Sequence, residues 1–358
     1  MNLALIALII ISTTLIFSVP SSRSTVNYLD ILSWGYQLQN ADPKQIANSS
    51  FNLVVIDYSR NGSEAGKYTS YEIKLIKNGG VIPVAYISIG EAEDYRYYWS
   101  ESWYTDPPDW LGHENPDWPG NYPVKYWEPE WQKIVFDYLD KVLSQGFMGV
   151  YLDKIDSFEY WSNPNNGEGF YLSKEEAAIR MINFVVEIAD YCRNHTGNLN
   201  FLVLPQNGEN ILNYDYNGTY LQKISGIGVE DLWYNGLQPN AKNYVQERIQ
   251  YLDLIKEHGK IVLSVDYVDD GTGYVGENRE RINDYINKAR EKGYIPYAAR
   301  SDRELDELNI IPGAQPLVPT RKDTRNLLWG IINPTFVVFT VVAIFMVIVF
   351  VKIYFKQK

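Results

Sequence analysis

Short apolar runs alternate with longer amphipathic stretches along most of this chain. The runs fall at roughly 33–39, 53–58, 81–89, 149–153, 200–205, 225–230, 260–267 and 294–299, and each has the length of a strand. Several are apolar throughout, as parallel strands covered on both faces are. Between them, Glu130 to Leu143, Lys174 to Tyr191, Ala241 to Glu257 and Asn278 to Glu291 carry helical periodicity. Glycines recur where a helix should end before the next strand: Gly79-Gly80-Val81, Gly146-Phe147-Met148-Gly149, Gly259-Lys260-Ile261 and Gly293-Tyr294-Ile295. Eight strands with helical crossovers predict an α/β fold, a (β/α)8 TIM-type barrel; an open doubly wound sheet is the alternative, because a strand count does not show closure.

Both ends of the chain are apolar. Leu3 to Val19 followed by Pro20-Ser21-Ser22-Arg23-Ser24 reads as a secretory signal or an N-terminal anchor over residues 1–24. Ile331 to Val351 is long enough to span a bilayer, and Lys352, Lys356 and Lys358 follow it. The expected organisation is a barrel over 25–312, a juxtamembrane linker over 313–330, a transmembrane helix over 331–351 and a cytoplasmic tail over 352–358. Either reading of the N-terminus places the barrel outside the cytoplasm. Sequons at Asn48, Asn61, Asn194 and Asn217 fit an exported domain.

A net charge of −12 gives no basic footprint for nucleic acid. The one cysteine, Cys192, excludes an intramolecular disulfide framework and reads as a buried thiol. His113, His195 and His258 are scattered, with no paired spacing for zinc. Gly271-Thr272-Gly273-Tyr274-Val275-Gly276 satisfies the dinucleotide pattern, but Asp269 and Asp270 just before it would repel a pyrophosphate, and no acidic residue ends a strand about 20 residues on. No cofactor and no nucleotide are expected.

Carboxylates close the strands. Asp57 follows Leu53 to Ile56, Glu91 follows Val84 to Gly90, Asp153 ends Gly149 to Leu152 with Asp156 three residues on, Glu230 follows Ile227 to Val229, and Asp266 follows Ile261 to Val265. In a barrel these gather at the C-terminal mouth, together with Gln206, Asn207 and Glu209 after the fifth strand. The connection from Ala92 to Trp127 is out of proportion and rich in Tyr, Trp and Pro. It reads as a lid or sugar-binding wall over the mouth, or as an aromatic core of its own.

The segments Trp34 to Gln39, Val55-Ile56-Asp57-Tyr58-Ser59, Ala85 to Glu93, Val150 to Asp153 with Asp156-Ser157-Phe158, Gln206 to Glu209, Gly228 to Tyr234 and Val265-Asp266-Tyr267 together resemble glycoside hydrolase family 114. The likeness runs from about residue 30 to 312. That family includes endo-α-1,4-polygalactosaminidases and related extracellular proteins of unknown substrate. The resemblance implies a βα barrel, a polysaccharide substrate, and a catalytic pair that maps onto Asp153 and Glu230. Glycoside cleavage needs one carboxyl group to protonate the leaving oxygen and one to attack or stabilise the oxocarbenium-like centre. Glu230 is assigned the acid/base role and Asp153 the other, with Asp156 left open as its rival. Asp57, Tyr58, Glu91, Asp156, Gln206, Asn207, Glu209, Asp231, Asp266 and Tyr267 are the expected substrate contacts. An acid-lined mouth suits a cationic amino sugar. The competing reading is a carbohydrate-binding or cell-envelope protein without turnover on the same scaffold.

Overall fold

The structure, a computed structural model, describes residues 31–316. The expected signal or anchor over 1–24 and the membrane helix over 331–351 lie outside the described residues. Among the described residues, no helix is long and apolar enough to cross a membrane.

Eight parallel strands follow one another around a TIM-barrel-like ring: β1 (Trp34–Gln37), β2 (Leu53–Ile56), β3 (Ile82–Ser88), β4 (Gly149–Asp153), β5 (Leu202–Pro205), β6 (Gly226–Glu230), β7 (Ile261–Asp269) and β8 (Ile295–Arg300). The helices between them are α1 (Pro43–Ala47), α2 (Ser70–Asn78), α3 (Pro129–Gln145), α4 (Ser157–Ser162), α5 (Lys174–Thr196), α6 (Thr219–Lys223), α7 (Lys242–Glu257) and α8 (Gly276–Glu291). α3 ends on Gly146 in the left-handed conformation, as its C-cap requires. After α2 that conformation falls on Gly80, the second glycine of the Gly79-Gly80 pair.

β1 to β5 form one hydrogen-bonded sheet and β6 to β8 another. Two backbone bonds join them across β5 and β6, from Ser225 N to Val203 O at 2.8 Å and from Asn207 N to Gly228 O at 2.9 Å. At the β8–β1 seam the Trp34 indole donates to the Ile295 carbonyl at 2.9 Å. Higher up, the chain after β8 is stitched to the end of β1, with Leu38 N and Gln39 N donating to Leu305 O and the Gln37 side chain donating to Asp306 O. Gln315 is buried and bonds both ways with the backbone of Ala298, which packs the segment after β8 against the end of the barrel.

Parallel pairing keeps register partners on one face, so the ladder fixes which residues point inward. Tyr36 pairs with Val55, Val55 with Val84, Tyr86 with Tyr151, Ser88 with Asp153, and Gly228 with Leu263. The interior is filled unevenly. Trp34, Tyr36, Tyr151 and Tyr297 pack with ring centroids 5.5–6.1 Å apart, and β6 answers them with glycines. A Cβ on Gly228 would lie 1.9 Å from the Tyr151 hydroxyl oxygen and 2.3 and 2.5 Å from its ring carbons. The Tyr151 hydroxyl itself is buried and has no hydrogen-bond partner among the described residues.

Gly228→Ala is therefore expected to cost about 1–3 kcal/mol by overpacking. Tyr151→Phe, which removes only an unpartnered hydroxyl, should cost less than about 1 kcal/mol. The double variant should recover only part of what Gly228→Ala loses, because the closest contact goes with the hydroxyl but the ring carbons still collide. Denaturant unfolding of the three variants checks this; full rescue by Phe would show that the interior yields around the ring.

Candidate active site

The C-terminal rim opens onto one cavity of about 700 Å³. Inward parity carries Asp153 and Glu230, the last residues of β4 and β6, to its wall; β5 lies between them and contributes Gln206. Immediately after each of these three, the backbone enters the left-handed region at Lys154, Asn207 and Asp231, with φ of 65°, 57° and 50°. None is glycine, and such residues cost roughly 1–2 kcal/mol each. The strain turns the chain off the rim at once, which leaves the preceding side chain facing inward.

Asp153 is held on both oxygens. Tyr86 donates to Oδ2 at 2.6 Å, and the Lys154 backbone N donates to Oδ1 at 2.7 Å. Desolvation raises its carboxyl above the ordinary aspartate range, against the opposing charge of Lys154. Lys154 extends into the cavity and pairs with Glu91 at 3.1 Å.

Glu230 takes donors only. Tyr267 donates to Oε1, and Asn207 Nδ2 donates to Oε2 at 3.3 Å. Burial, and then the negative charge of Asp153, push the Glu230 carboxyl up to about 7. Both carboxyl groups at this rim are thus raised by burial, Glu230 to about 7, while at Asp153 the charge of Lys154 and two donors oppose the rise. Tyr36 lies beneath both and donates to Gln206 at 3.3 Å.

Asp156 starts α4 and faces the cavity, and its carboxylate accepts no hydrogen bond among the described residues. The surrounding walls push it up to about 6, with Lys154 opposing and Asp153 adding to the rise. Glu91 lines the cavity and is held by Lys154 and by Asn115 Nδ2 at 3.0 Å. Asp57 lines it too, but its carboxylate is engaged below the surface by Arg96. Arg96 also binds Glu93 at 2.6 Å and the Tyr138 hydroxyl at 3.1 Å, so all of its charge is neutralised inside the wall.

Four expected contacts lie off the cavity lining. Tyr58 has the opposite parity to Asp57; it is fully buried and donates to Gly62 O at 2.8 Å. Asp266 has the opposite parity to Tyr267 and accepts the backbone N–H groups of Leu232, Trp233 and Tyr234, each at 2.9 Å. It shapes the loop after β6 and is fully buried. Glu209 is paired with Arg248, and Asp231 is bound in a two-pronged contact by Arg303 at 2.7 and 3.0 Å. Tyr86, Lys154, Glu93, Arg96, Arg248 and Arg303 were missed from sequence. Inward parity would have found Tyr86, two residues before Ser88, and adjacency would have found Lys154; the arginines carry no local signal.

The long connection after β3 divides between a packed aromatic core and a wall of the cavity. Glu91–Glu93 and Asn121–Pro123 pair as an antiparallel hairpin at its base. Trp99, Trp103, Trp110 and Trp131 then form a chain of rings at 5.0–5.3 Å that packs down onto α3. Tyr95 and Trp118 instead line the cavity, 51% and 55% exposed. Among the described residues no cluster of His, Cys, Asp and Glu is arranged to hold a metal ion.

This chain is 57% identical to an uncharacterised protein of Methanocaldococcus jannaschii over 276 residues, 77% of this chain and 78% of that one. It is 53% identical to an uncharacterised protein of Thermotoga maritima over 310 residues, 86% and 93% of the two chains. Among solved structures, the glycoside hydrolase domain of PelA from Pseudomonas aeruginosa superposes with a TM-score of 0.57 at 17% identity, covering 78% of this chain and 97% of that domain. Aspergillus fumigatus Ega3 in complex with galactosamine gives 0.54 at 17% identity, covering 76% and 92%. At these identities the superpositions show a shared fold. A model of glycoside-hydrolase family GH114 matches residues 18–315, so the barrel that brings Asp153 and Glu230 to one rim belongs to that family and is a glycoside hydrolase.

Proposed function

We propose that this enzyme hydrolyses a galactosamine-rich polysaccharide, possessing α-1,4 linkages, with Glu230 as general acid/base and Asp153 as the carboxylate that attacks or stabilises the anomeric centre. The observation that carries the assignment is the pairing of a carboxyl group pushed up to about 7 with a second one across β5, both facing one cavity. Asp156, Glu91, Gln206, Asn207 and Tyr267 line the same space and serve as substrate contacts, with Tyr95 and Trp118 as platforms for sugar rings.

The amino-sugar assignment is supported by the balance of charge. Besides the protonated Glu230, six acidic side chains line the cavity (Asp57, Glu91, Glu93, Asp153, Asp156, Glu304) against four cations (Arg60, Arg96, Lys154, Arg303). A surplus of negative charge in a walled cavity draws in an ammonium group. The fold shared with a protein solved with galactosamine points the same way. The apolar runs at Leu3 to Val19 and Ile331 to Val351 support an exported barrel tethered at its C-terminal side. Protease treatment of intact cells tests the tether: the barrel should be released, leaving a fragment of the C-terminus with the membrane, whereas full protection would place the barrel inside.

Reducing ends released from α-1,4-polygalactosamine should fall by a factor on the order of 10²–10⁴ in Glu230→Gln, and by at least as much in Asp153→Asn. N-acetylation of the polymer should slow the wild type, because it removes the ammonium. Equal cleavage of the acetylated polymer would remove the electrostatic argument for the substrate.

The pH profile has a fixed sign. Glu230 must hold its proton, so kcat/KM should fall as pH rises through about 7. The acid limb belongs to Asp153, whose proton must be off; its raised carboxyl brings that limb above the usual aspartate range. A profile still rising above pH 8 would contradict the assignment of Glu230.

A further inference from the structure

Arg248 sits on α7, outside the cavity lining. Its guanidinium reaches in behind β5 and β6. Nη1 donates to the Glu230 carbonyl at 2.8 Å and to the Tyr244 hydroxyl at 3.0 Å. Nη2 donates to Asn207 Oδ1 and to Glu209 Oε2, both at 3.2 Å, and Nε donates to Glu209 Oε1.

The contact with Asn207 has a consequence for Glu230. A side-chain amide has an acceptor end and a donor end, and a half-turn exchanges them. Here the acceptor end is claimed twice, by Arg248 Nη2 and by the Glu230 backbone N at 3.0 Å. The donor end is thereby left facing Glu230 Oε2. In the turned amide, Nδ2 would meet two donors, and Oδ1 would meet the carboxyl oxygen, a contact that is repulsive against the Glu230 carboxylate, so the turned amide loses its stabilisation of the charged form.

We propose that Arg248 is a positioning residue: by holding Asn207 Oδ1, it keeps the Asn207 amide donating to Glu230 and so tunes the general acid from outside the cavity. This rests on the reading of Glu230 as the acid. A donor to a carboxylate favours its charged form, so loss of the Asn207 contact raises the proton affinity of Glu230. The charged and titratable groups facing Glu230 are Asp153 and Tyr151 from β4, Tyr36 from β1, Tyr267 from β7, Asp231 beside it and Arg303 after β8. None of them bonds to Asn207 Oδ1.

The test needs no substrate. In the full chain labelled with carbon-13 at glutamate Cδ, the Glu230 resonance is identified by its loss in Glu230→Gln, and its titration midpoint is followed by NMR. Asn207→Ala should raise the midpoint by on the order of half a unit or more. Arg248→Met and Arg248→Lys should raise it comparably, because lysine keeps the charge but lacks the fork. Arg248→Met in the Asn207→Ala background should add nothing. A wild-type midpoint retained by Arg248→Lys but not by Arg248→Met would show that charge alone acts, and would overturn the inference, as would additive shifts in the double variant. Should Arg248→Met fail to fold with Glu209 unpaired, Arg248→Met/Glu209→Gln removes both charges and is expected to give the same shift. A wild-type midpoint in the ordinary carboxylate range would instead overturn the reading of Glu230 itself.

Discussion

Two carboxyl groups held at one desolvated rim repel each other, and the rest of the site is arranged around that repulsion. The charge of Asp153 helps to push Glu230 toward neutrality, while at Asp153 itself the charge of Lys154 and two donors oppose, without reversing, the rise that burial causes. Remove the inward parity of β4 and β6 and the two groups no longer share a wall. The barrel interior enforces that parity through bulk: Tyr151 fills the space that Gly228 leaves, directly below the two reacting ends. Packing and chemistry are therefore coupled through a single residue pair on neighbouring layers.

The strain at the rim belongs to the same arrangement. Lys154, Asn207 and Asp231 occupy the left-handed region in register, one after each inward side chain of β4, β5 and β6. Asn40, Arg303 and Leu305 do so on the far side of the mouth, where the chain after β8 is stitched to β1. A cluster of this kind is stable only where the surroundings over-determine it. Here they do, through the Arg248 fork behind Asn207 and the Arg303 fork on Asp231, with Arg303 also lying 4.2 Å over the Tyr267 ring.

Much of this was legible in the sequence, for a physical reason. Parallel strands buried on both faces read as continuous apolar runs, so all eight were found to within a few residues, and the αβ turns announced themselves by glycine. Asp153 and Glu230 were among five strand-end carboxylates, Asp57, Glu91, Asp153, Glu230 and Asp266, that the apolar runs marked alike, and the family resemblance is what distinguished the pair. The failures have one cause each. Tyr58 and Asp266 sit one residue from an inward position, and a carboxylate after a strand says nothing about parity until the register is known. Glu209 and Asp231 face arginines 39 and 72 residues away, contacts that only the closed ring creates. The aromatic connection could be read two ways because its composition is the same for a core and a wall; only the hairpin at its base decides that Tyr95 and Trp118 face the cavity while the other rings turn inward.

The division of labour between the two carboxyl groups is the centre of the account, and leaving-group dependence tests it most directly. An aryl α-galactosaminide with a dinitrophenolate leaving group needs no protonation to depart. Glu230→Gln should therefore keep a substantial part of the wild-type rate of glycosidic cleavage on it while losing the polymer, and Asp153→Asn should lose both. Preserved cleavage by Asp153→Asn, with Glu230→Gln inactive on the aryl glycoside, would contradict it.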